Sequence, residues 1–110
     1  GISVRVLDVH TIKPIDEEAI LKAVTETRRI LCVEEHNVIG GLGSAVADVI
    51  AASGKGGAFA KSGLPDCYSE VGYPEDLYSH YCIDGDGIVG MVRELLHREF
   101  EADEDWEDEF

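Results

Sequence analysis

Basic residues are scarce in this chain of 110 residues: nine Lys and Arg stand against 23 Asp and Glu, a formal net charge of −14. A nucleic-acid backbone is held by clustered cations, so this balance argues against nucleic acid as a partner. Long apolar runs are also missing. The opening GISVRVLDVH has no basic stretch leading into an apolar core and a cleavage site. Neither a transmembrane helix nor a signal peptide is expected, and no membrane partner. Cysteine is limited to Cys32, Cys67 and Cys82, with no C-x-x-C spacing. That excludes a disulfide framework and a zinc knuckle, and makes a reducing cytoplasm the expected setting.

What remains is the composition of an ordinary globular chain, 45% apolar and 29% charged, enough for one core and one domain. The charge is unevenly placed. The last ten residues, EADEDWEDEF, hold seven acids and no base, which leaves sixteen acids against nine bases, or −7, in residues 1–100. The expected organisation is a domain over 1–100 and an acidic, disordered tail over 101–110 that aids solubility. A recruitment motif built on Trp106 and Phe110 is the alternative use of that tail.

Alternation of Ile2, Val4 and Val6 with Ser3 and Arg5 predicts a strand over 2–9. Pro14 stops regular structure, and Asp16 is positioned to cap a helix carrying Glu17 and Glu18 in its first turn. Ala19, Ile20, Ala23, Val24 and Thr27 mark its apolar face, and Arg28 and Arg29 follow at its end. ILCVE, residues 30–34, is apolar on both faces and reads as a buried parallel strand. Gly40, Gly41 and Gly43 turn the chain into a helix with Ala45, Val46, Val49 and Ile50 on its inner face, ended by SGKGG at 53–57. A weaker strand is expected at Ala58–Lys61, then a loop from Gly63 to Gly72 and a short helix at Pro74–Tyr81. A last helix, capped by Asp84 or Asp86, runs to about Phe100. Alternating strands and helices predict a layered α/β domain with a mostly parallel sheet. Three strands make a poorly protected parallel sheet, so an upstream segment or another chain is expected to complete it.

Functional candidates concentrate in CVEEHNVIGGLGSAVADVI, Cys32 to Ile50. A dinucleotide fingerprint is a poor match. Gly41-Leu42-Gly43 continues to Val46 where a small residue belongs, and HNVIG separates the strand from the glycines. Glu34, Glu35 and His36 lie at the carboxyl end of a strand, where α/β domains place ligand sites. Alternation puts Glu35 opposite Glu34 and His36. A glutamate there serves acid–base chemistry or anchors the following glycine turn, and anchoring is the preferred reading. His10, His36, His80, Cys82 and His97 are too scattered for a metal site. Asp84-Gly85-Asp86-Gly87 starts like a calcium loop but lacks its closing acid, so capping is expected. No catalytic, cofactor-binding or metal residue is assigned, and His36 alone is held as a substrate-channel candidate.

Taken in order, VRVLDVHTIKPIDEEAI, ILCVEEHNVIGGLGSAVADVIA, SGLPDCYSEVGYPEDL and the helix after Asp84 resemble the C-terminal domain of the transketolase family over residues 1 to about 98. The likeness is nearest to C-terminal sections of short or split transketolases, with deoxyxylulose-phosphate synthases and 2-oxoacid dehydrogenase beta subunits as relatives. It implies a three-layer α/β/α fold. It also implies part of an enzyme that moves a two-carbon ketol unit between sugar phosphates, with thiamine diphosphate and Mg²⁺ bound by other domains and none by this chain. The implied partners are the remaining transketolase domains or an N-terminal subunit, in a homo-oligomer. The chain itself is expected to support the dimer and the active-site entrance without being catalytic alone. The alternatives are a freestanding interaction or regulatory module of the same fold, or a 2-oxoacid dehydrogenase beta-subunit fragment. Two departures stand out. The family's first strand–helix unit, whose strand sits between the first two strands seen here, is lacking, and Cys67-Tyr68 stands where Phe is usual after P-D. A fragment or separately encoded tail of a larger enzyme is expected.

Overall fold

A computed structural model describes residues 1–98, so the acidic tail lies outside the described residues; the last helix, expected to run to about Phe100, ends at Leu96 with His97 as its C-cap. Six elements follow one another: α1 (Glu17–Thr27), β1 (Arg29–Asn37), α2 (Leu42–Ser53), β2 (Ala58–Leu64), α3 (Pro74–His80) and α4 (Gly85–Leu96). β1 and β2 form a parallel pair, with Arg29 opposite Ala58 and Val33 opposite Ser62, and the register shifts between Val33 and Asn37. The architecture is α/β, as the spacing of elements predicts.

Helix boundaries follow the capping chemistry. The Ala19 amide donates to Asp16 Oδ1 at 3.1 Å, so α1 starts at Glu17. Of the two aspartates available before α4, it is Asp84 that caps, accepting from the Gly87 amide at 2.9 Å. α2 ends on Gly54 with φ +76°, a left-handed turn that glycine adopts without steric cost.

Strand alternation sorts the layers. Cys32 points to α1 and α2, forming the core with Ile20 and Val46, to which Ile15, Ile30, Leu42, Val49, Ile50 and Phe59 are packed. α4 covers the opposite face of β1 and β2, and the Arg29 guanidinium Nε–H donates to the Leu95 carbonyl at 3.2 Å. Helices packed against both faces explain why β1 reads as a continuous apolar run.

Two boundaries differ from expectation. β1 extends to Asn37 and β2 to Leu64, because pairing resumes at Asn37 opposite Leu64 beyond the irregularity that follows Val33. The strand expected over 2–9 is not formed among the described residues. An alternating segment becomes a strand only against another strand edge, and among the described residues β1 and β2 pair solely with each other. Segment 2–9 is instead held at Arg5, whose guanidinium pairs with Glu26 near the end of α1.

Candidate functional site

The carboxyl ends of β1 and β2 bring the sequence candidates together. Gly41, which precedes α2, has no side chain to cap that helix. Glu34 does so from the neighbouring strand: Leu42 N–H donates to Oε1 at 2.9 Å and Gly43 N–H to Oε2 at 2.7 Å. The carboxylate is only 9% exposed and faces the positive end of the helix dipole, an arrangement that holds charge without an ion pair of opposite sign. Glycine is required at position 41 because a Cβ there would collide with Glu34 Oε1 and stand 2.8 Å from His36 Nδ1. Glu34 is therefore an anchor.

His36 lies on the same side of β1, with its side chain 59% exposed. Its Nδ1 is 2.7 Å from the Asn37 carbonyl and 3.6 Å from Glu34 Oε1. Both neighbours are acceptors, so Nδ1 carries a proton and Nε2 is the ring atom left for an external partner. Behind it, Asn37 Nδ2 donates to Asp66 at 3.3 Å and the Ile39 amide donates to Asn37 Oδ1 at 2.8 Å, fixing the strand exit. Lys61 closes the back of the turn, donating to the Val38 carbonyl and to Ser44 Oγ at 3.0 Å each.

The other members of the sequence-predicted set are separated from this cluster. Glu35 projects to the opposite face and hydrogen-bonds Tyr78, an interaction that raises the phenol above its ordinary pKa. Cys32 is buried, and burial first, then the Glu34 charge, push its thiol up to about 11. It is a core residue, not a nucleophile. Among the described residues no group of three His, Cys, Asp or Glu side chains could hold a metal ion. The role of Lys61 escaped the sequence reading; the one signal available was a lone cation inside an otherwise apolar or small-residue strand.

A second feature lies along the β1 edge that β2 leaves free. A groove of about 690 Å³ runs between segment 2–9 and Arg29–Val33. Ile20, Ala23 and Val46 line it from one helical layer, and Ile88, Val92 and Leu95 from the other. Val6, 85% exposed, and Val33, 37% exposed, are left open to solvent along it.

Residues 1–88 match the family model described as "Transketolase, C-terminal domain". The chain belongs to the transketolase C-terminal domain family. Over 99 residues it is 38% identical to a putative transketolase C-terminal section of Methanocaldococcus jannaschii, covering 90% of this chain and 30% of the relative. It is 40% identical to 1-deoxy-D-xylulose-5-phosphate synthase 2 of Geobacter sulfurreducens, covering 89% of this chain and 16% of that enzyme. One subunit of an apulose-4-phosphate transketolase from Actinobacillus succinogenes is 38% identical, with 86% of this chain and 31% of the relative covered. A solved structure described as a split gene transketolase, inactive beta4 tetramer, superposes with a TM-score of 0.72 at 34% identity, over 81% of this chain and 29% of that one. The domain thus spans less than a third of the length of these relatives.

Proposed function

We propose that this domain is the C-terminal section of a thiamine-diphosphate-dependent transketolase that moves a two-carbon ketol unit between sugar phosphates. In this reading it supports the assembly and shapes the active-site entrance, and other domains or an N-terminal subunit carry the chemistry. The observation that carries the proposal is the match to transketolase sections and subunits that are about three times as long, of which this chain accounts for 30% and 31%.

Thiamine diphosphate and Mg²⁺ do not fit the residues present. A diphosphate needs free N–H donors, yet the α2 amides of Leu42 and Gly43 already donate to Glu34. No trio of carboxylate, imidazole or thiol groups among the described residues is placed to hold the metal. In this reading the cofactor belongs to other parts of the enzyme, and no step of the reaction is assigned to this chain. Among the described residues, His36 is the side chain this reading offers to the substrate channel.

Reconstitution tests the reading. The chain combined with the N-terminal part of its enzyme is expected to transfer ketol units, whereas the chain alone is inactive and gives no calorimetric heat with thiamine diphosphate and Mg²⁺. Binding by the isolated chain at micromolar affinity overturns the assignment.

A further inference from the structure

Five of the nine basic residues stand around the amino ends of β1 and β2, where the last turn of α4 meets them. Arg28 closes α1 and Arg29 opens β1. Arg29 is opposite Ala58, the first residue of β2, and the Ala58 amide donates to the Arg28 carbonyl at 2.9 Å. Two contacts bring the end of α4 to the same place. Arg29 Nε–H donates to the Leu95 carbonyl at 3.2 Å, and the Arg98 guanidinium donates to the Phe59 carbonyl at 2.6 Å. Lys55 lies in the turn just before Ala58, and Arg93 in the last turn of α4. Lys55, Arg93 and Arg98 are exposed. The acids on the adjoining helix ends are Glu26, which pairs with Arg5, and Glu94. This end of the sheet therefore carries a surplus of positive charge in a chain whose net charge is −14.

We infer that this basic face is a binding surface for acidic peptide, and that its occupant is the chain's own segment 101–110. That segment holds seven acids and no base, begins shortly after Arg98, and lies beyond residues 1–88 matched by the family model. Reach is sufficient: ten residues span up to about 33 Å, whereas neighbouring strands are about 4.8 Å apart. A short tether also holds the acids at an effective concentration in the millimolar range, far above that of an untethered competitor. Arginine's planar fork suits carboxylates, which it takes in pairs of parallel hydrogen bonds. Cations elsewhere are engaged locally. Lys61 is turned inward to the Val38 carbonyl and Ser44 Oγ, Arg5 is paired with Glu26, and Lys22 lies one turn from both Glu18 and Glu26. A long external polyanion fits less well, because it meets the net −7 of residues 1–100 as well as the basic face. The face lies at the opposite end of the strands from Glu34 and His36. The segment thus shields the amino-end face and leaves the candidate channel open.

Trp106 is the only tryptophan of the chain, so its emission reports segment 101–110 specifically. In the whole chain, acrylamide quenching of Trp106 is expected to rise by about twofold between about 10 mM and about 1 M salt, as the screening length falls from about 30 Å to about 3 Å. Replacing Lys55, Arg93 and Arg98 together by Gln should abolish that salt response, with the melting temperature read alongside. Lys55→Gln combined with Arg93→Gln spares the Arg98 contact to Phe59 and should still reduce the response by about half. A full-length variant with every acid of 101–110 changed to its amide should bind a synthetic polyglutamate decapeptide about tenfold more tightly at low salt than the unaltered chain, because the tethered competitor is gone. Three results overturn the inference: quenching indifferent to salt and to the substitutions (a solvated segment), a salt response that strengthens with chain concentration (a segment docked on a second copy), and polyglutamate binding that is equal or absent in both chains.

Discussion

Glu34 shows how a catalytic-looking motif becomes structural. A carboxylate beside a histidine at a strand end has the composition of an acid–base pair, but both oxygens meet the amides that open α2. Hydrogen bonds to a charged acceptor contribute about 1.5–3 kcal/mol. Glu34→Ala is accordingly expected to destabilise the domain by about 2–3 kcal/mol in urea unfolding, with helix content falling first in α2. An unchanged midpoint would mean that water caps the helix equally well. His36 behaves differently, because its side chain is largely exposed and only its Nδ1 meets neighbouring groups. On the proposed function, His36→Ala in the reconstituted enzyme should raise KM for the sugar phosphate by roughly tenfold, the equivalent of one lost hydrogen bond to a charged group, and leave the melting temperature in place. A lower kcat at constant KM would instead put the ring in contact with the reacting atoms.

Cys32 makes a pH-dependent prediction at the same scale. Its thiol rises from an ordinary 9.0 to about 11 in the folded domain, mainly through burial. A raised pKa means that the neutral thiol is favoured by the fold. The associated stability is complete below pH 9 and is lost as pH climbs through about 11. Chemical unfolding between pH 8 and 11 should therefore show stability falling by about 2–3 kcal/mol from this group. The decline should disappear in Cys32→Ala, compared with its own value at pH 8. Thiol alkylation at pH 8 should label the exposed Cys67 and Cys82 quickly and Cys32 only after unfolding.

At the scale of elements, local chemistry decided the helices. Asp84 is within reach of the Gly87 amide, and its replacement by Ala should cost about 1 kcal/mol, read as a shift in urea midpoint; Asp86→Ala should cost less, since Asp86 makes no such cap. The same logic explains what was legible in the sequence. Asp16, Pro74 and Asp84 mark helix starts through contacts a few residues long. β1 was visible as an apolar run because helices pack on both its faces, and the anchoring role of Glu34 was one of two readings that the sequence kept open. Segment 2–9 has the alternation of a strand, yet strand formation is a property of pairs, and alternation alone does not reveal whether the paired edge is present. The β2 extension and the Lys61 contacts depend on neighbours dozens of residues away and leave no local mark.

On the scale of the whole molecule, the half-used edge of β1 has an energetic consequence. Val6 and Val33 are exposed along the groove, which helical residues line on either side. A binding partner that recognises only the folded form stabilises it by about 2.7 kcal/mol when present at a hundredfold excess over its Kd. For a domain of this size each kcal/mol moves the melting temperature by about 4–8 °C, so assembly with the rest of the enzyme should raise it by roughly 10–20 °C. Methyl signals from labelled Ile20 and Val46 would follow melting of this domain specifically, because both line the groove and belong to the core. If the assembled enzyme is active but these methyls melt at the temperature of the isolated chain, the domain is energetically self-sufficient and its open edge is a surface feature with no part in assembly.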